Sequence, residues 1–184
     1  MLSIFTNPVE ALSKANRNQS FARTIAVLIV SSVLFAIGGF AITSAVLPAN
    51  ITFAYFAGLG MFFITIILAI IMSAVVMLIA NALGSRGRFF HSITAVSYSL
   101  LPGSVGFLVM SLLVSIPIGL FVGVIISSVL VALGLSIFFR ALREFFHLDY
   151  VAALTLFIII IIAFLVSFFS STAFLSIVNV MLQL

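Results

Sequence analysis

The sequence predicts an all-α fold: a polytopic transmembrane helical bundle of five spans, preceded by a short interfacial amphipathic helix. Three observations predict it. Of the 184 residues, 65% are hydrophobic and only 5% are charged, against about 25% charged in a soluble domain. The runs at 64–71 and 156–166 are apolar on every side. In lipid each backbone amide needs an internal partner, which leaves helices or a closed barrel. A barrel requires segments of about 10 residues that alternate polar and apolar, and these runs do not alternate. The polar residues, finally, gather in short segments between the runs.

Residues 1–23 form the amino-terminal segment, and 24–184 the transmembrane domain. Asn7-Pro8 reads as a helix start, since Asn caps and Pro suits the first helical position. Glu10 falls in the first turn, where a negative charge meets the helix dipole favourably. Val9, Leu12 and Ala15 follow at helical spacing, which predicts a short helix lying on the membrane surface.

The first span covers 24–47 and stops at Pro48. Thr43-Ser44-Ala45 resembles a signal cleavage site, but the apolar stretch exceeds a signal core of about 7–15 residues. The second span, 53–83, is long for a bilayer and closes at Gly84-Ser85-Arg86-Gly87-Arg88. The third, 92–114, contains Pro102-Gly103, and the fourth, 118–139, follows a tight turn at Pro117. A polar loop is expected at 140–149, where Asp149 caps the fifth span, which covers 150–169. Residues 170–184 form an interfacial helix or extend the last span, and a sixth span arises if they re-enter.

All seven basic residues (Lys14, Arg17, Arg23, Arg86, Arg88, Arg140, Arg143) fall on one side of this layout. The positive-inside rule makes that side cytoplasmic. The amino terminus is then inside and the carboxyl terminus outside. Arg86, Arg88, Arg140 and Arg143 are expected to meet anionic lipid headgroups. The net charge of +4 is spread too thinly over three segments for a nucleic-acid face. The two inner loops share an echo, Arg88-Phe89-Phe90-His91 and Glu144-Phe145-Phe146-His147. Their flanks do not match, so shared topological position explains it better than duplication.

No Asp, Glu, Lys, Arg or His lies within a predicted span, although ion-coupled carriers usually keep one there. Cysteine is absent, which excludes thiol chemistry. His91, Glu144, His147 and Asp149 match no zinc spacing. No catalytic residue, metal site or cofactor is expected. Pro102 removes a backbone hydrogen bond and strands the Tyr98 carbonyl. Ser97, Ser99 and Ser104 stand near enough to satisfy it, and Gly103 lets a neighbour approach. The kink has two readings, a packing bend and a ligand site. Gly119, Gly123 and Ser127 form a small-residue stripe of the kind that lets helices pack closely in lipid. Asn50-Ile51-Thr52 is a glycosylation sequon on a very short outer loop.

Taken together, the Asn-Pro helix start, the five tightly connected spans and Ala95-Val96-Ser97-Tyr98-Ser99-Leu100-Leu101-Pro102 resemble the Yip domain (Ypt-interacting protein) family. That family carries a Gly-Tyr-Ser-Leu-x-Pro-like element in its third span. Tyr98 and Pro102 match it, while Ser97 stands where Gly is common. The resemblance covers about residues 5–170. Eukaryotic members carry an acidic Asp-Leu-Tyr-Gly-Pro-type element, linked with small-GTPase binding, which residues 1–23 lack. The resemblance therefore implies a short, prokaryotic-type member in a cell membrane and does not carry a small-GTPase partner over. Two functions remain open. One is a non-enzymatic scaffold that organises lipids, membrane proteins or copies of itself. The other is a passive or partner-driven transport component with a neutral or lipid-like ligand near Tyr98 and Pro102. Transport needs a hydrated cavity lined by Ser97, Tyr98 or Ser99; scaffolding needs none.

Overall fold

The structure is a computed structural model and describes residues 10, 12, 20–46, 48, 51–85, 87–116 and 118–161. Among these it is all-helical. Four helices are long and apolar enough to cross a membrane: α1 (Phe21–Val46), α2 (Ile51–Ala82), α3 (Phe89–Leu113) and α4 (Gly119–Phe146). A fifth, α5 (Tyr150–Ile161), has 12 described residues, or about 18 Å of rise. That is short of the ~20 residues a crossing needs, so the described residues give four spans rather than the five expected. The rest of the expected fifth span, and residues 170–184, lie outside the described residues. Of the expected amino-terminal helix, only Glu10 and Leu12 are described. Both are helical, and Leu12 belongs to the buried core cluster.

The helix ends follow local chemistry. Pro48 stands between α1 and α2, since its ring cannot continue a helix. Gly84 closes α2 in the left-handed region at φ 86°. Its amide donates to the Asn81 carbonyl (3.0 Å), and that of Ser85 donates to the Ala80 carbonyl (3.1 Å). This pair of bonds is a Schellman motif, which favours glycine at that position. With 32 residues, α2 is about 48 Å long, so it tilts or projects beyond the ~30 Å hydrocarbon layer.

The fourth helix runs further than expected. A loop was anticipated at 140–149, yet α4 continues to Phe146. No proline occurs between Gly119 and Phe146, and Ala141, Leu142, Phe145 and Phe146 carry its buried face onward. Arg140 and Arg143 therefore project from a helix, both exposed. The chain turns at His147, the only non-glycine residue with positive φ among those described (50°). The Asp149 carboxylate accepts from the Ala152 amide at 2.7 Å, capping α5 as expected.

The third helix sits at the centre. It packs against α1, α2 and α4, and it is the most buried and least apolar of the four. Parallel α1 and α3 meet from Thr24···Thr94 (3.1 Å between hydroxyl oxygens) to the Phe35–Phe107 rings (5.4 Å). Thr94 already donates to the Phe90 carbonyl at 2.8 Å, so Thr24 supplies the proton of the pair. The antiparallel neighbours of this layer are α2 on α1 and α4 on α3.

Candidate functional site: the central helix and the basic end

Pro102 lies inside α3, which runs unbroken from Phe89 to Leu113. Ser97 and Pro102 are fully buried and Tyr98 is 4% exposed; Ser99 and Gly103 are partly buried. The hydroxyls do not serve the Tyr98 carbonyl, which corrects the sequence expectation. Ser97 donates to the Ile93 carbonyl (2.6 Å), Ser99 to Val96 (2.8 Å) and Ser104 to Leu101 (2.8 Å). A serine on a helix reaches back only to the carbonyl three or four residues earlier. Only position 101 or 102 could therefore serve Tyr98, and neither is a serine.

The stripe on α4 packs within the chain, against α3. A Cβ added at Gly123 would lie 2.9 Å from the Met110 Cα, and one at Gly106 would lie 3.0 Å from the Ser127 Cα. Gly119 sits directly against the Leu113 carbonyl. The contact extends further than the sequence suggested. At Gly134 an added Cβ would stand 2.6 Å from the Ser99 carbonyl oxygen. Gly134 comes seven residues after Ser127, on the same helical face, and that spacing was the available signal.

The basic residues that are described share one end of the bundle. Arg23 lies in the first turn of α1, two residues after Phe21, whose ring meets Phe90 of α3 at 6.3 Å. Arg88 precedes α3, and Arg140 and Arg143 lie in the last turns of α4. Arg143 stands over the Tyr150 ring at 5.6 Å, within the range of a cation–π contact. Arg86 lies outside the described residues.

At this end the two Phe-Phe-His echoes meet. The His91 ring stacks on Phe145 (6.2 Å, 23°) and stands edge-on to Phe146 (6.3 Å, 85°). Gly87 lies directly against the Phe146 ring, where any side chain would collide. The Arg88 amide donates to Nδ1 of His91 (3.5 Å), which leaves the proton of the neutral ring on Nε2. Between the α2–α3 and α4–α5 turns opens a cleft of about 470 Å³. Ser85, His91, His147 and Asp149 form part of its wall, and Leu83 and Leu148 part of its apolar side. The sequence pointed to each echo but not to their contact, because nothing in either segment encodes its distance from the other. Among the described residues no three His, Asp or Glu side chains group as metal ligands.

Long apolar helices, in a bundle that is all-helical among the described residues, define a multi-pass integral membrane protein. Within that class the chain belongs to the Yip1 domain family, whose model matches residues 2–178. No curated protein and no solved structure matches it.

Proposed function

We propose that the chain is a non-enzymatic membrane scaffold, organising lipids and membrane-protein partners or copies of itself from a preformed bundle. The observation that carries this reading is the packing of the Ser97–Pro102 stretch. Ser97 and Pro102 are fully buried, each serine hydroxyl is satisfied within α3, and Gly134 seats α4 on the Ser99 carbonyl. A stretch so filled serves packing better than it serves a permeating ligand. The amino terminus and the basic end face the cytoplasm in this reading, supported by the clustering of Arg23, Arg88, Arg140 and Arg143.

A cysteine at Ser97 tests the choice between scaffold and transporter. The chain has no native cysteine, so the background is clean. In native membranes a small water-soluble thiol reagent should modify Ser85→Cys and leave Ser97→Cys untouched. Rapid modification of Ser97→Cys would reveal a hydrated cavity and favour transport. For the scaffold itself, a photo-cross-linking residue at Val124, on the exposed face of α4, should yield discrete protein or self adducts. Lipid adducts alone would count against a protein partner or self-association through this face.

A further inference from the structure

We propose that the exposed side of α4, where α5 begins, holds the phosphate of one anionic phospholipid between Arg140 and Arg143. The proposal rests on the scaffold reading only in that the site binds a lipid and leaves it unchanged. Arg140 and Arg143 are three residues apart on α4 and both are exposed, so they are neighbours on one side of the helix. Arg143 is positioned as well as charged. Its guanidinium carbon stands 5.6 Å from the centre of the Tyr150 ring. That ring is edge-on to Phe139 (5.7 Å, 77°), and Phe139 is edge-on to Phe157 (5.6 Å, 75°). A cation–π contact draws on the charge of a guanidinium and consumes none of its five N–H donors. Two such groups side by side favour an anion between them, and the planar fork of arginine matches a phosphate.

Depth selects the source of the phosphate. Arg140 comes 21 residues after Gly119, the first residue of α4. That is about 32 Å of rise, which matches the ~30 Å hydrocarbon layer and sets the pair at headgroup level. From Arg140 towards the middle of the bilayer, Ser136, Ala132 and Val129 follow at steps of four, four and three residues, and all are exposed. They descend about 16 Å, roughly the depth of one leaflet. A charged pair above such a line fits an amphiphile, whose acyl carbons lie along it; a free phosphate gains nothing from it. Two acids stand nearby and lie outside the pair. Asp149 lines the cleft between the turns, whose wall includes neither arginine, and its Oδ1 accepts from the Ala152 amide. At about 100° per residue, Arg140 lies between Arg143 and Glu144 round the helix.

The test uses the whole protein in a mild detergent, with native mass spectrometry counting retained lipid. Phosphatidylglycerol should be retained as a single tight equivalent in preference to phosphatidylcholine. One charge at a membrane surface carries about 1 kcal/mol, or roughly fivefold in affinity, so Arg140→Gln and Arg143→Gln should each lower retention about fivefold. Arg143→Lys keeps the charge but loses the fork, and Tyr150→Leu keeps the charge but frees Arg143; both should lower retention too. Arg23→Gln removes a charge from the same end of the bundle, on α1, and should leave retention unchanged. All five positions are exposed, so melting should stay close to that of the parent. Unchanged retention in both Arg140→Gln and Arg143→Gln would overturn the proposal. An equal loss in Arg23→Gln, or full retention in Arg143→Lys, would also overturn it, leaving only a diffuse positive surface. Displacement of the lipid by equimolar glycerol phosphate would overturn the lipid assignment. Each of these failures leaves the Val124 cross-linking outcome unaffected, so the scaffold reading stands or falls separately.

Discussion

Two glycines in this chain stand in opposite circumstances. At Gly134 an added Cβ would lie 2.6 Å from the Ser99 carbonyl oxygen, a backbone atom that cannot rotate away. At Gly60, inside α2, nothing lies within 4 Å. Gly134→Ala should therefore push α3 and α4 apart and cost about 1–3 kcal/mol, as overpacking does. Gly60→Ala should be neutral or stabilising by up to about 1 kcal/mol, through helix propensity. Melting of the two variants in one detergent checks the pair, and equal shifts would show that the α3–α4 seam is not close-packed. The cap at Asp149 can be examined similarly. Asp149→Ala should cost about 0.5–2 kcal/mol and raise amide exchange at Ala152 and Ala153. Asp149→Asn should leave that exchange nearly unchanged.

The four long helices were legible because a run without a breaker has only one way to satisfy its amides in lipid. Their limits were legible where chemistry marks them, at Pro48 and Gly84. The end of α4 was not. The polar cluster Arg140, Arg143 and Glu144 reads as a loop, yet Ala141, Leu142, Phe145 and Phe146 keep a buried stripe at helical spacing. Hydropathy averaged over a window hides such a stripe. The role of the α3 serines was misread for a directional reason, since their hydroxyls reach towards the amino terminus of the helix. Pro102 consequently stands on packing alone. Pro102→Ala should restore an amide donor and remove a fully buried ring. The two effects oppose one another, so a folded protein with a melting shift equivalent to less than about 1.5 kcal/mol is expected. Loss of folding would mean that the proline shapes the bundle.

At the scale of the molecule, the arrangement of charge is the feature from which the functional reading grows. The basic segments are far apart in sequence, and the structure brings the described ones to one end of α1, α3 and α4. Alternation of the loops made that grouping legible. The cleft was not legible, because it arises where the start of α3 and the turn before it meet the last turn of α4, which no periodicity links: His91 on Phe145, and Gly87 on Phe146. The side of the membrane that this end faces is measured most directly by labelling single cysteines in intact cells with an impermeant thiol reagent. The exposed Thr52 and Ser115 should label from outside, and Ser85 and Glu144 only after the membrane is opened. Labelling of Thr52 and Ser85 from the same side would contradict the spanning bundle, and with it the cytoplasmic basic face.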